Sequence, residues 1–173
     1  VSRYGLVAYA SSLDQIGPIT KCIEDAALMT EIMRGQDEMD ASSSTSKATV
    51  EINPWKKENT SLALLSEAME NEAIHPDIKN YFSRLSDDFP KMGIKHSIEN
   101  FPYLDYVVPV YQIISNAEAS SNLARFDGIR YGRRAQEASS IDDTIIKSRS
   151  EGFGEEVKRR IMLGTYVLSE GYY

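Results

Sequence analysis

A chain of 173 residues with 42% hydrophobic and 26% charged residues has the composition of a soluble globular protein with a core of its own. Its net charge of −7 and pI of about 4.9 set bulk electrostatics against gripping a nucleic acid. A single cysteine, Cys22, excludes an internal disulfide framework, and no apolar run is long enough to span a membrane.

In chain order, residues 5–10 read as a short buried strand bounded by Gly5 and Ser11-Ser12. After a turn-rich linker over 13–17, Pro18 opens a helix to about Met33, with Cys22 packed among its apolar residues and Gly35 as its stop. Residues 37–59 read as a surface loop, Ser- and Thr-rich over 41–48 and anchored by Trp55. Leu62 to Leu65 is a strand. His75-Pro76-Asp77 starts a helix whose buried stripe is Ile78, Tyr81/Phe82, Leu85 and Phe89. Pro90 and Gly93 end it, and residues 94–98 alternate as a half-buried strand. Phe101-Pro102 turns the chain into a helix from about Tyr106. Asp142 and Asp143 suit the first turn of a helix that starts at Ile141 and ends near Ser150-Glu151-Gly152, and Gly154 precedes a last helix from Glu155 to about Leu168. Strands alternating with helices predict an α/β architecture rich in helix. His75 and His96 stand alone, and neither sits at a metal-ligand spacing.

Residues 118–132 pose the sharpest question. At about 100° per residue, Val107, Tyr111 and Ile114 share a helix face that continues through Glu118, Ser121 and Arg125. Burying a carboxylate and a guanidinium costs free energy unless they are paired. Either the helix breaks near Ser115-Asn116, or Glu118 and Arg125 pair structurally, or this face lines a cleft. Arg125 with Asp127 reads as an ion pair of the following turn, and Arg130-Tyr131-Gly132-Arg133-Arg134 as a solvated basic loop. In the last helix Arg160 lies about 60° from Val157, on the Gly164 side, whereas Arg159 lies about 160° away, towards solvent. An inward guanidinium beside a glycine seeks a carboxylate, either of the same protein or of a ligand.

Three stretches carry a resemblance: Arg3-Tyr4-Gly5-Leu6-Val7-Ala8-Tyr9-Ala10-Ser11-Ser12-Leu13-Asp14-Gln15-Ile16-Gly17-Pro18; residues 117–132, with Ser-Ser-Asn-Leu-Ala-Arg-Phe-Asp-Gly at their centre; and Ser148-Arg149-Ser150-Glu151-Gly152-Phe153-Gly154, continuing through Lys158-Arg159-Arg160-Ile161-Met162-Leu163-Gly164-Thr165. Together they resemble the amidase signature family, a mixed sheet covered by helices. The second and third are similar, more narrowly, to the glutaminase subunits of bacterial-type tRNA-dependent amidotransferases. The resemblance runs from end to end and is weak only between about Glu38 and Asn100.

The family's nucleophilic serine, its cis-peptide serine and its lysine have no counterpart here. The sequence contains no Gly-Gly-Ser or Ser-Gly-Gly run. The resemblance therefore implies an internal piece of one amidase domain over 1–173, truncated at both ends, with the catalytic residues upstream and the 173-residue chain inactive alone. It also implies that Arg160 holds the α-carboxylate of glutamine, that Tyr111 lies near the same pocket, and that Asp14 and Gln15 support the catalytic loops; with Ser121, on the helix stripe to which Tyr111 leads, Arg160 and Tyr111 are the candidate substrate-binding residues. The intact enzyme would hydrolyse glutamine and pass ammonia to the B and C subunits of a heterotrimer. There ATP and Mg would activate a mischarged tRNA, either Glu-tRNA(Gln) or Asp-tRNA(Asn), in the cytoplasm or an organelle and without a membrane. Two other readings stay open: another hydrolase of the same family, and a non-catalytic binding fragment.

Overall fold

A computed structural model describes residues 1–46, 49–53 and 56–171, leaving Trp55 and the end of the Ser/Thr-rich run outside the described residues. Two compact units form: Ile52–Pro109, and Val1–Glu51 with Val110–Tyr173.

In the first unit, a 3₁₀ turn (Lys57–Asn59) leads into β1 (Ser61–Leu65), a short α2 (Ser66–Glu70), α3 (Pro76–Lys91) and β2 (Lys95–Glu99). The strands are parallel, with Ser61 opposite Lys95 and Leu65 opposite Glu99, as a helical crossover requires. Pro76 takes the first helical position, and the His75 ring accepts the Asp77 N–H at 3.3 Å. Phe89 and Ile94 are buried at the α3–β2 corner, where His96 packs on Phe89 at 5.4 Å and bonds Ser86 Oγ at 3.1 Å. The expected α3 stripe is corrected: Ile78, Tyr81 and Phe82 are exposed, because a two-stranded sheet offers too little surface to cover them.

In the second unit, residues 1–22 hold no regular element, so the expected strand over 5–10 is corrected. No described strand lies alongside to complete a ladder. Instead the Asp14 carboxylate accepts the N–H groups of Tyr9 and Ala10 at 2.9 and 3.2 Å, closing a turn. Helix α1 (Ile23–Met33) starts later than expected from Pro18; Cys22 is its exposed N-cap residue, not a packed one. Among the described residues of 37–59, only the 3₁₀ turn is regular, and Asp37 and Asp40 tie this segment to Ser2 Oγ and the Arg3 N–H.

Helix α4 (Leu104–Leu123) runs unbroken through Ser115-Asn116, which removes the proposed break. Its buried residues are Ser115, Asn116, Ala119 and Leu123, whereas Val107, Tyr111 and Ile114 are exposed. Helix α5 (Ile141–Gly152) is capped by Ser140 Oγ on the Asp143 N–H, and α6 (Glu155–Val167) follows Gly154. α6 meets α4 at Gly164, where a Cβ would stand 1.9 Å from the Asn116 carbonyl oxygen. Only a glycine permits that approach. Ser120 and Thr165 share a hydroxyl bond of 2.8 Å beside it.

The second and third sequence stretches lock each other. Arg149 Nη1 donates to the Leu123 and Phe126 carbonyls at 2.8 and 3.2 Å, capping the C-terminus of α4, and its guanidinium lies 5.0 Å over Phe153. Buried Ser148 Oγ accepts the Ala135 N–H at 2.9 Å and abuts Gly128, whose φ of 75° and lack of a Cβ both matter there. Neither expected pairing of Arg125 forms. It bonds Asn122, while Asp127 pairs with Arg130 at 3.2 Å and takes the N–H groups of Ile129 and Arg130.

The chain exposes 13,379 Å². A monomer of 19.4 kDa is expected to expose about 8,500 Å², and the two units counted as separate bodies about 10,000 Å². Tyr106, Val107, Val108, Val110, Tyr111, Ile113 and Ile114 are all exposed along one helix.

Candidate functional site

The site forms where the turn over residues 9–14, the second half of α4 and the N-terminal half of α6 converge. The turn shaped by Asp14 is fastened to α4 twice. The Ser12 N–H donates to Glu118 Oε2 at 2.9 Å and the Ser12 hydroxyl to Oε1; Asn122 Nδ2 donates to the Tyr9 carbonyl at 3.2 Å. Glu118 is therefore a structural clamp, with Ser12 in place of Arg125.

Held this way, the Tyr9 ring reaches Arg160. The Arg160 Nη1 donates to Tyr9 Oη at 2.7 Å, and the guanidinium carbon lies 5.4 Å from the ring centroid. Tyr9 Oη donates in turn to Asn116 Oδ1 at 3.2 Å, with Ser115 Oγ 3.5 Å away; both α4 residues are buried. Arg160 Nε donates to Glu156 Oε1 at 2.8 Å. Glu156 also takes Arg159 through Nε and Nη2 at 2.7 and 2.8 Å. These contacts, Arg159 first and Arg160 second, hold the Glu156 carboxyl at about 2, and Arg160 is correspondingly pushed up, by Glu156 and then Tyr9.

The two arginines divide by exposure: the Arg160 side chain is 37% exposed and that of Arg159 62%. Of the Arg160 nitrogens, Nε and Nη1 are engaged, while Nη2 makes no hydrogen bond among the described residues. This leaves one edge of the guanidinium fork open, the geometry that takes a carboxylate.

Tyr111 lies one turn before Ser115 on α4, is 49% exposed and makes no hydrogen bond among the described residues. Ser121 is exposed and returns its hydroxyl to the Ala117 carbonyl at 3.4 Å. Among the described residues neither makes a hydrogen bond to Arg160. Gln15 is exposed. The sequence reading missed Tyr9, Asn116 and Glu156. Glu156 had a signal, sitting three and four residues before the arginines; Tyr9 and Asn116 meet only in space. Among the described residues no cluster of His, Cys, Asp and Glu could hold a metal, and no helix is long and apolar enough to cross a membrane.

The chain is similar to known proteins over its whole length. Over its whole length the chain is 45% identical to the A subunit of the glutamyl-tRNA(Gln) amidotransferase of Brevibacillus brevis, of which it covers 36%, and 47% identical to that of Helicobacter pylori, of which it covers 38%. It thus spans about a third of the length of these relatives. Among solved structures, the A subunit of the Thermotoga maritima glutamyl-tRNA(Gln) amidotransferase superposes on the whole chain with a TM-score of 0.63 and 38% identity, the chain covering 33% of it. The crystal structure of an amidase matches 95% of the chain at TM-score 0.61 and 17% identity, with the chain covering 30% of that protein, which speaks to the fold alone. A family model described as Amidase matches residues 1–173. With that match over the whole chain, the chain belongs to the amidase family.

Proposed function

We propose that this chain is a segment of the glutaminase subunit of a tRNA-dependent amidotransferase, and that it forms the wall of the glutamine pocket that carries Arg160. The observation that carries the reading is the Arg160 guanidinium, drawn in over Tyr9 with its Nη2 edge open and its charge secured by Glu156. The open Nη2–H groups suit the α-carboxylate of glutamine as charge-assisted hydrogen-bond donors. Support comes also from the 45% identity, across the whole chain, to a protein named as the A subunit of such an enzyme.

In this reading the catalytic serine, its cis-peptide serine and the lysine lie elsewhere in the longer polypeptide. The serine attacks the glutamine side-chain amide, an acyl-enzyme forms, and ammonia leaves with the proton relayed by the lysine and the second serine. Backbone N–H groups hold the oxyanion. Tyr111 and Ser121 belong to the outer wall of the pocket, and Asp14 shapes the turn that presents Tyr9. The B and C subunits complete a cytoplasmic heterotrimer. There ATP and Mg, bound by the partner, activate the carboxyl end of Glu-tRNA(Gln) or Asp-tRNA(Asn), and ammonia converts it to the amide. The acidic charge of this segment leaves tRNA to that partner.

The test is glutamine-dependent amidation by the full-length protein assembled with its partners, beside the isolated 173-residue chain. Amidation that requires ATP and glutamine, with no ammonia release by the isolated chain, supports the reading. Assembled enzyme that cannot use glutamine, or ammonia release by the isolated chain, overturns it.

A further inference from the structure

Arginine guanidinium groups on an exposed helix turn freely about four bonds, and both Arg159 and Arg160 draw on one carboxylate, Glu156. Glu156 alone therefore cannot decide where the Arg160 fork points. The deciding contact comes from outside the helix. Tyr9 is fixed at its backbone, with Asp14 accepting its N–H and Asn122 donating to its carbonyl. Its hydroxyl is fixed as well. Asn116 is 4% exposed and offers Oδ1 at 3.2 Å, so the phenolic proton is committed to α4 and the oxygen lone pair is turned to Arg160 Nη1 at 2.7 Å.

We propose that Tyr9 is a positioning residue for glutamine capture. Its hydroxyl, set by Asn116, holds one Nη1–H of Arg160 and so presents the Nη2 edge to the substrate carboxylate. This rests on the reading of Arg160 as the carboxylate anchor. The ring supplies part of the attraction through its face, 5.4 Å from the guanidinium carbon, but a ring face does not select one rotation of the fork; the hydroxyl does. Removing only the hydroxyl should loosen the orientation while leaving the charge in place.

The experiment is a double-mutant cycle in the assembled full-length enzyme with Tyr9→Phe, Arg160→Ala and the pair, measuring KM and kcat for glutamine. Tyr9→Phe keeps the ring and the backbone anchors and should fold. The expected result is a KM about tenfold higher with kcat changed less than about twofold, and no further rise when Tyr9→Phe is added to Arg160→Ala. If Arg160→Ala raises KM but Tyr9→Phe does not, or if the two effects add, the positioning role is wrong while the anchor stands. If Arg160→Ala leaves KM unchanged, the anchor itself is wrong and the positioning role falls with it.

Discussion

Gly164→Ala tests the α4–α6 contact that places Arg160. The added Cβ would lie 1.9 Å from the Asn116 carbonyl oxygen, 2.5 Å from its carbon and 2.8 Å from Ser120 Cβ. Two of these three atoms are backbone, so no side-chain rotation relieves the clash. Reaching an ordinary contact of 3.4 Å requires α6 to withdraw by about 1.5 Å (3.4 − 1.9). Overpacking of this kind costs roughly 1–3 kcal/mol, against a gain of about 1 kcal/mol in helix propensity from replacing glycine. With rigid backbone on both sides the cost should sit at the top of its range, for a net loss of about 2 kcal/mol. The same withdrawal, applied to the 2.7 Å Arg160–Tyr9 bond, stretches it past 4 Å (2.7 + 1.5), so KM for glutamine should rise as well. Urea and thermal melts of the full-length protein read the stability. Gly152→Ala is the control: Gly152 is also helical, but nothing lies within 4 Å of its would-be Cβ, so that variant should be neutral or slightly more stable. Gly164→Ala as stable as wild type would refute the contact.

Further expectations concern the rest of the chain. The isolated 173 residues should self-associate, since their 13,379 Å² of surface includes an apolar half of α4; a clean monomer by light scattering with a sharp cooperative melt would count against this. Arg149→Met should lower the stability of the full-length protein by about 1–3 kcal/mol by uncapping the Leu123 and Phe126 carbonyls, with Arg149→Lys recovering only part; full recovery by lysine would show that charge alone matters. Backbone N–H groups of Arg130 and Ile129, with the Arg130 side chain, hold the Asp127 carboxyl at about 2, below its unfolded value, so its stabilisation is complete above about pH 4 and fades as pH falls towards 2. Asp127→Asn should therefore flatten the acid limb of the stability curve between about pH 5 and pH 2, and an unchanged slope would contradict that anchoring.

Much of the fold was legible because its signals are local. Asp142-Asp143, His75-Pro76-Asp77, and Gly154 before Glu155-Glu156 mark helix starts by capping and dipole chemistry, and all three helices begin there. The family, too, was legible, because its stretches are long and specific. The phase of α4 was not. Its first half is apolar all round, so periodicity cannot select a face, and in its second half the buried residues include Ser115, Asn116 and Ala119. Close backbone approach at Gly164 selects small residues there, and hydrophobicity then points the wrong way. The turn over residues 9–14 was illegible for a similar reason: an apolar run reads as strand, whereas one carboxylate, Asp14, takes its N–H groups. At the site, facing alone separated Arg160 from Arg159, but Tyr9 and Asn116 lie 151 and 44 residues from Arg160 in sequence and only folding joins them.

The central claim, that Arg160 anchors the glutamine carboxylate, is tested most directly by comparing Arg160→Ala with Arg159→Ala in the assembled enzyme, with glutamine and with free ammonia as nitrogen source. Loss of a charged hydrogen bond from the pocket costs on the order of 2–5 kcal/mol, a fall in kcat/KM for glutamine of roughly thirtyfold to several thousandfold, carried chiefly by KM. The account predicts that fall for Arg160→Ala, little change for Arg159→Ala, poor rescue by Arg160→Lys, and ammonia-supported amidation intact in all three. Arg159→Ala proving the more damaging change, or Arg160→Ala abolishing the ammonia-supported reaction as well, would contradict it.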